Sequence, residues 1–414
     1  MTAFSPRTLA IVSALLLVAT ACGPGAQPAA PTSAPAPPKP TQPAAPTTAP
    51  AAPTTAPTVA AKPTSAPAAQ PTTATAPTIA ISGPFQDEAR SVNGAGATFP
   101  APLYQKWFTE YVNVTQVQVN YQAIGSGGGI KGIQDQTVDF GASDAPMTDE
   151  QIAGAKGGEV YHIPTALGAI VPTYNLPAAK SKLKFTGDTL AGIFLGTIQK
   201  WNDPKLVADN PDLASVDEDI VVVHRSDGSG TTFGFTDYLS TVSPEWQQKV
   251  GKATSVNWPT GLGGNGNAGV AGEVQQNPNA IGYVELIYAV QNNLAYGMVK
   301  NKTGKFVDPS LDSVTAAAAA SAANIPADLR FSIVDAPGDT SYPISTATWL
   351  LLYKSIPDTP KAVALTRLAW WATHEGQKYN KDLAYATVPD ALTAKSEQFI
   401  KQITSSGKPA FPGR

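Results

Sequence analysis

The sequence predicts an α/β protein whose body is large enough for two lobes. Segments with the composition or alternation of strands are interleaved with segments that have helical spacing of apolar residues. That order is typical of α/β folds with largely parallel sheets. Residues 81–414 form a body of 334 residues, and chains of this size usually divide into two domains. No period of about 20 to 50 residues repeats, which argues against a solenoid.

The charge of the chain argues against a nucleic-acid partner. Residues 1–80 contain no acidic residue and three basic ones, so the body has 25 Lys and Arg against 31 Asp and Glu. Nucleic-acid binding needs a basic surface, and this body is mildly acidic. The single cysteine excludes a disulfide framework and a cysteine-based metal site. We expect no metal and no cofactor.

The N-terminus predicts an export signal followed by a lipid anchor. The run from Leu9 to Val18, apolar apart from Ser13, is shorter than the roughly 20 residues of a membrane-spanning helix, and it suits the core of a signal peptide. The sequence Ala19-Thr-Ala-Cys22 resembles the lipobox of bacterial lipoproteins, with Ala19 where that pattern prefers Leu. The resemblance implies a signal peptide over residues 1–22 and a lipid on Cys22. An ordinary signal peptide with an incidental cysteine is the alternative.

The composition of residues 23–80 predicts a disordered tether. They consist almost entirely of Pro, Ala, Thr, Ser and Gln and hold 16 of the 38 prolines. Such a segment has too few large apolar side chains to offset the entropy lost on ordering. A cell-surface stalk for an adhesin is the alternative for this segment.

The elements of the body follow from the spacing of apolar residues. Leu103, Trp107 and Tyr111 recur at helical spacing, which predicts a helix over residues 98–112. Residues 117–121 alternate between apolar and polar side chains, which predicts a strand. The next predicted elements are a helix over 130–136 and a strand over 138–142.

The second part of the body continues the same order. The β-branched run over residues 220–223 is typical of a strand buried on both faces. The remaining predicted elements are a helix that opens at the turn 227–231, strands over 281–286 and 348–353, and a helix from 359 to 371 with Thr359 as N-cap and Pro360 at the first helical position.

Three glycine-rich turns are candidate anion sites: Gly94–Phe99, Gly125–Gly128 and Asp227–Thr231. Each stands at a predicted strand-to-helix junction, where unpaired N–H groups meet the positive end of a helix dipole. None matches a nucleotide-binding fingerprint. Ordinary tight turns are the alternative.

Two charged groups accompany these turns. Arg225 can offer a forked donor to an oxyanion, with Asp227 two residues further on as its charge partner. Asp144 follows the strand predicted over 138–142. From the residues alone, a helix cap or turn carboxylate remains open for Asp144.

An enzyme is the weaker hypothesis. Ser181–Lys184, Ser255–Asn257 and Lys302–Gly304 match the motif order of serine penicillin-recognising enzymes, but each match is short and lies in a polar stretch. The three histidines lack the spacing of a zinc site. We expect no catalytic residue.

Seven segments together resemble the phosphate-binding protein family of bacterial ABC-type phosphate importers. They are Gly94–Pro102, Tyr121–Gly129, Val138–Pro146, Arg225–Thr231, Gly261–Asn267, Ala280–Glu285 and Tyr342–Ser345. The resemblance covers about residues 92–407, in order, and does not include the tether. It implies a periplasmic-binding-protein fold in which two α/β lobes close on one inorganic phosphate.

Carried over position by position, the resemblance implies the following ligand contacts: Ala97, Thr98, Phe99, Ser126 and Asp144 from one lobe, and Arg225, Ser229, Gly230 and Thr231 from the other, with Asp227 pairing Arg225. Lobe I would comprise residues 90–168 and 340–414, and lobe II residues 169–339. Two neighbours depart from the family pattern, namely His224 where arginine is common and Gly127 where a second serine is common.

The resemblance also implies a function and partners. The protein would be a monomeric, lipid-anchored receptor on the outer side of the cell membrane that delivers phosphate to a membrane permease. A carboxylate only accepts hydrogen bonds, so Asp144 would favour an oxyanion that still carries a proton. A receptor for another protonated tetrahedral oxyanion, such as arsenate, is the alternative.

Overall fold

The computed structural model describes residues 80–413 of the chain. The signal peptide over residues 1–22, the lipidation of Cys22 and all but the last residue of the tether over 23–80 lie outside the described residues. They therefore stay predictions. Within the described part, no helix has both the length and the apolar character needed to cross a bilayer.

Strands and helices alternate along most of the described chain, as predicted. The strands are β1 (Ser91–Gly96), β2 (Gln118–Ala123), β3 (Phe140–Ser143), β4 (Val160–Asn175), β5 (Lys184–Phe185), β6 (Val221–Arg225), β7 (Leu262–Gly264), β8 (Ala280–Glu285), β9 (Ala295–Tyr296), β10 (Met298–Lys300), β11 (Phe306–Val307), β12 (Ser345–Tyr353), β13 (Thr404–Ser405) and β14 (Lys408–Pro409).

The helices are α1 (Ala101–Thr115), α2 (Ser126–Asp135), α3 (Asp149–Ala153), α4 (Gly187–Phe194), α5 (Pro204–Val207), α6 (Gly230–Val242), α7 (Pro244–Lys249), α8 (Gly266–Gln276), α9 (Leu286–Gln291), α10 (Leu311–Ser321), α11 (Thr359–Thr373) and α12 (Asp390–Gln402). Short 3₁₀ turns cover Pro211–Ser215, Ala322–Asn324, Glu375–Tyr379 and Lys381–Leu383.

A nine-stranded sheet runs through the described body in the order β2-β1-β3-β12-β4-β8-β6-β7, with β9 paired to β4 outside that path. At one end β1 is parallel to β2 and β3, and at the other β6 is parallel to β7 and β8. Strands β12 and β4 are antiparallel to each other and to their other neighbours. The prediction of largely parallel pairing is therefore wrong at the centre of the sheet.

Strand β4, which joins the two ends of the sheet, is missing from the sequence prediction. It has 16 residues, pairs with β12 over residues 160–169 and pairs with β8 over residues 170–175. Pro164 and Pro172 are the reason why the strand was not predicted, because proline removes a ladder hydrogen bond and usually argues against a central strand. Pro164 is accommodated beside an irregularity in the register between β4 and β12.

Helix α1 has the predicted apolar face. Leu103, Trp107 and Tyr111 are completely buried, although the helix begins at Ala101 and not at Thr98. The residues from β1 to this helix therefore form a loop. That loop contains the first of the candidate anion sites.

Helix α11 has Thr359 as its first helical residue, so both its start and its cap are one residue earlier than predicted. The Asp358 carboxylate accepts a hydrogen bond from the Lys361 N–H at 3.1 Å, so Asp358 and not Thr359 is the N-cap. Pro360 consequently occupies the second helical position. Asp and Thr are both favoured caps, and the hydroxyl of Thr359 is instead engaged by Ser405 at 2.8 Å.

A buried ion pair attaches the start of the described chain to α11. The Arg367 Nε lies 2.9 Å from the Glu88 Oε1, and both side chains are 0% exposed. The Arg367 guanidinium also lies over the ring of Phe85, 4.5 Å from its centroid. Residues 81–89 are thus part of the packed body.

Candidate functional site

The three glycine-rich turns all stand between a strand and a helix, as predicted. Strand β1 leads into α1, β2 leads into α2 at Ser126, and β6 leads into α6 at Gly230. The first N–H groups of a helix have no partner within it and carry partial positive charge. The starts of α2 and α6 therefore offer backbone donors, and side-chain contacts bring all three turns together.

Asp144, directly after β3, lies against the starts of α2 and α6. Its N–H donates to the Ser126 Oγ at 3.1 Å, and the Ser126 hydroxyl lies 3.4 Å from the Asp144 Oδ2. A Cβ placed on Gly230 would lie 2.5 Å from the Ser126 Oγ and 2.6 Å from the Asp144 Oδ2. The backbone of Gly230 therefore touches both side chains.

The carboxyl group of Asp144 is buried with one oxygen unused. Asp144 is 1% exposed, and its Oδ1 accepts no hydrogen bond from the described residues. Burial raises the pKa of Asp144 to about 7, although Thr348, Arg225 and Ser126 each lower it. The Thr348 Oγ1 likewise has no hydrogen-bond partner among the described residues. Asp144 thus has an acceptor available for a ligand.

Arg225 is 3% exposed and is held by Asp227, as the sequence predicts. Its Nε and Nη2 donate to the two oxygens of that carboxylate at 2.7 and 2.5 Å. Burial opposes ionisation of Asp227, but the Arg225 charge and a 3.0 Å hydrogen bond from the Gly266 N–H outweigh it, so the pKa of Asp227 is lowered. The Nη1 of Arg225 donates to the Thr231 Oγ1 at 3.4 Å.

The predicted hydroxyl groups converge on the same region. The Ser229 Oγ caps α6 by accepting the Thr232 N–H at 3.0 Å, which leaves its hydroxyl hydrogen free to be donated. Thr98, from the first turn, and Thr231, from α6, are both bound by the side-chain amide of Asn267, at 2.9 and 3.0 Å. Turns from both ends of the sheet therefore meet at one place.

Two residues of the first turn are already engaged by the protein. The N–H of Ala97 donates to the Ala142 carbonyl at 2.9 Å, and its own carbonyl accepts the Tyr121 hydroxyl at 2.7 Å. The backbone N–H of Ala97 is therefore already used within the protein, and its role as a ligand contact stays a prediction. The buried Phe99 uses its carbonyl to accept the Tyr385 hydroxyl at 2.6 Å.

The two sides of the site also touch through backbone. The Gly127 N–H at the start of α2 donates to the Gly228 carbonyl at 2.9 Å. A Cβ at residue 127 would lie 3.1 Å from the Gly228 Cα, so the glycine that departs from the family pattern sits in a tight contact. The other departure, His224, stacks on Trp258 with ring centroids 4.9 Å apart.

Three polar residues of the region received no role from the sequence. Asn267 and Glu285 lie inside segments that resemble the family, and only that resemblance could have indicated a role for them. Nothing in the sequence indicated a role for Tyr385. The Glu285 Oε2 accepts the Ile287 N–H at 2.9 Å and lies 3.2 Å from the Tyr385 hydroxyl. Burial raises the pKa of Glu285 well above its usual range.

The segments behind the enzyme hypothesis have other partners. The Ser181 hydroxyl lies 3.4 Å from Asp212 at the surface, and Lys302 lies 3.6 Å from Asp335. The buried His162 accepts the Met147 N–H at 3.0 Å. Within residues 80–413, no group of three or more His, Cys, Asp or Glu side chains is placed to hold a metal ion.

The fold and the site define a two-lobed α/β binding protein of the periplasmic type, with buried hydroxyl, guanidinium and carboxyl groups where turns from both ends of the sheet meet. The profile of the PBP superfamily domain matches residues 51–373. The chain is 48% identical over 322 residues to the phosphate-binding protein PstS of Haemophilus influenzae, which covers 76% of this chain and 94% of that relative.

A more distant relative and a solved structure agree. The phosphate-binding protein PstS of Methanocaldococcus jannaschii is 39% identical over 309 residues, covering 69% of this chain and 79% of that relative. The phosphate-binding protein from Stenotrophomonas maltophilia shares the fold with a TM-score of 0.59 at 18% identity, over 74% of this chain and 93% of that one. The chain belongs to the PBP superfamily, in the family of PstS phosphate-binding proteins, which confirms the resemblance and the fold class.

Proposed function

We propose that this protein binds inorganic phosphate between its two lobes, outside the cytoplasm, and delivers it to the permease of an ABC importer. Membership in the PstS family supports this function. The observation that carries it in this chain is the unused Oδ1 of the buried Asp144, at a site otherwise made of donors. An acceptor among donors suits a tetrahedral anion that retains a proton.

The proposed contacts are Thr98, Phe99, Ser126, Asp144, Arg225, Ser229, Gly230 and Thr231, with Asp227 orienting Arg225 and Ala97 lining the same turn without a free backbone donor. A buried, unpaired anion would be strongly disfavoured, so its oxygens must be saturated with donors. Charge-assisted hydrogen bonds contribute roughly 1.5 to 3 kcal/mol each. Local dipoles and one guanidinium thus allow a net-acidic body to hold an anion.

The proposed lobes are residues 90–168 with 340–414, and residues 169–339. The pairing of β4 supports this division, because the strand changes its partner from β12 to β8 between Ala169 and Ile170. The proposed hinge therefore includes β4, and the contacts of Gly230 with Ser126 and Asp144 correspond to closed lobes. Small-angle scattering tests this proposal: phosphate should reduce the radius of gyration, and an unchanged profile at saturation would oppose hinge closure.

The remaining proposals concern the anchor and the chemistry. Cys22 would carry the lipid, residues 23–80 would serve as a flexible tether, and the protein would act as a monomer without catalytic activity or cofactor. Mass spectrometry of the protein purified from its own membrane should detect the lipid on Cys22, and a Cys22→Ser variant should be released from the membrane.

Equilibrium dialysis with radiolabelled phosphate tests the function itself. The protein is first unfolded and refolded to remove retained anion. We expect saturable binding of one phosphate per chain, with sulfate failing to compete. Absence of phosphate binding by the refolded, structurally intact protein would refute the proposed function.

A further inference from the structure

We infer that Asn267 is a positioning residue that forces the hydroxyls of Thr98 and Thr231 to act as hydrogen-bond donors toward the ligand. This role rests on the proposed phosphate function and goes beyond it, since Asn267 itself is not a proposed contact. Asn267 is the second residue of α8 and is completely buried.

The orientation of the Asn267 amide is fixed by one backbone contact. Its Oδ1 accepts the N–H of Glu285 at 2.9 Å. A backbone N–H can only donate, so the atom facing it must be the oxygen, and the amide cannot be turned over without losing this bond. The Nδ2, with its two hydrogens, therefore points to the opposite side.

On that side, Nδ2 meets the two threonines. It donates to the Thr98 Oγ1 at 2.9 Å and to the Thr231 Oγ1 at 3.0 Å. The geometry matches one hydrogen to each hydroxyl. Both hydrogens of the buried amide are thus used by the two threonines, while its oxygen is held by the Glu285 N–H.

Each hydroxyl then has both of its acceptor positions filled. Thr98 Oγ1 also accepts the Asn267 backbone N–H at 3.2 Å, and Thr231 Oγ1 also accepts the Arg225 Nη1 at 3.4 Å. A hydroxyl has one hydrogen and two acceptor lone pairs. Neither hydroxyl donates to another group among the described residues, so both hydrogens are left for a ligand that accepts them.

The two hydroxyls come from different proposed lobes, and this links their orientation to closure. Thr98 belongs to the turn before α1, whereas Thr231 and Asn267 belong to α6 and α8. The Thr98 hydroxyl is therefore locked as a donor only when the lobes have come together. Anion selectivity at this position is a property of the closed state.

Equilibrium dialysis with radiolabelled phosphate, applied to a mutant cycle, tests this role. Asn267→Ala should weaken phosphate binding by about ten- to a hundredfold, because two charge-assisted donors lose their fixed orientation. In a Thr98→Val/Thr231→Val background, the same substitution should change affinity by less than about threefold, since Asn267 acts through those hydroxyls. An equal loss in both backgrounds would assign Asn267 a merely structural role and overturn the inference.

Asn267→Asp provides a second test that keeps the shape of the side chain and the acceptor for the Glu285 N–H. A carboxylate would attract both threonine hydrogens and turn acceptor lone pairs toward the ligand, so affinity should fall further than in Asn267→Ala. Phosphate affinity equal to that of the unmutated protein in either variant would overturn the role of Asn267 alone. Failure of the unmutated protein to bind phosphate would instead overturn the proposed function and this role with it.

Asn210→Ala is the matched control. Asn210 is also a buried asparagine, and it binds the backbone of Lys184 and Leu206, away from the proposed contacts. The Asn210→Ala substitution should lower the melting temperature and leave phosphate affinity unchanged. A comparable loss of affinity in Asn210→Ala would show that destabilisation alone explains the Asn267 variants and would overturn the inference.

Discussion

The Cα of Gly230 is packed against the carboxyl group of Asp144, so closely that a Cβ at residue 230 would lie 2.6 Å from the Asp144 Oδ2. Gly230 begins α6, and Asp144 follows β3 at the other end of the sheet. Only a residue without a side chain fits between them. The contact thus joins the helix start that supplies donors to the group proposed to select the ligand.

Gly230→Ala should therefore prevent full closure. The added methyl group would collide with Asp144 and Ser126 when the lobes close, but not when they are apart. We expect phosphate affinity to fall by at least about a hundredfold with little change in melting temperature, measured by calorimetry and thermal unfolding. Gly272→Ala is the control, because a Cβ there meets only the Gln276 Nε2, at 4.0 Å. Unaltered affinity in Gly230→Ala would contradict the closed geometry.

The stability of the ligand-free protein should depend on pH through Asp144. Burial raises its pKa from 3.8 to about 7, so the folded state holds a proton that the unfolded state has lost between those values. The stabilising effect of this protonation is complete below about pH 4 and is lost as the pH rises to about 7. Asp144→Asn should thus gain stability relative to the unmutated protein as the pH increases, by up to roughly 4 kcal/mol.

Urea unfolding at several pH values, with phosphate removed, measures that difference. Comparing the two proteins at each pH cancels the contributions of other groups. A difference that stays constant from about pH 4 to pH 8 would contradict the raised pKa of Asp144.

Arg225→Lys should weaken phosphate binding by about a hundredfold or more. Lysine keeps the charge, but its single nitrogen cannot replace the three separate guanidinium nitrogens that donate to the two oxygens of Asp227 and to Thr231. Arg330→Lys changes the same functional group at a partly exposed position outside the site and should leave binding unaffected. Calorimetry measures the phosphate affinity of both variants. An affinity of Arg225→Lys equal to that of the unmutated protein would argue against Arg225 as an anchor for the anion.

Glu88→Ala should destabilise the fold without affecting the site. It would leave the guanidinium of Arg367, which is 0% exposed, without its carboxylate, and breaking such a buried pair costs about 3 to 5 kcal/mol. Glu245→Ala removes one partner of a solvent-exposed pair with Lys249 and should have little effect. Chemical unfolding measures both, and a minor effect of Glu88→Ala would show that residues 81–89 contribute little to the packed body.

Local patterns predicted much of the fold, because helices and the outer strands have signals within a few residues. The face of Leu103, Trp107 and Tyr111 and the pairing of Arg225 with Asp227 are examples. Strand β4 was missed since its prolines are tolerated only in the context of its partner strands, β12 beside Pro164 and β8 beside Pro172, which are remote in sequence.

The predicted site shows the same division between local and distant information. The turns could be found from glycine and hydroxyl residues, but their partners could not. Asn267 contacts Thr98 across 169 positions of the chain, and the Tyr385 hydroxyl reaches Phe99 across 286. Such contacts depend on tertiary packing, so spacing along the chain gives no sign of them.

The most direct test of the account is competition between phosphate and sulfate at about pH 8, measured by calorimetry on the unmutated protein and on Asp144→Asn. The unmutated protein should bind phosphate at least about a thousandfold more tightly than sulfate. The carboxylate of Asp144 can accept a hydrogen bond from the protonated oxygen of phosphate, whereas sulfate carries no proton to donate. In Asp144→Asn, the amide can donate to sulfate, and the preference should largely disappear. Comparable affinities for the two anions in the unmutated protein, or an undiminished preference in Asp144→Asn, would contradict the selection of phosphate by Asp144.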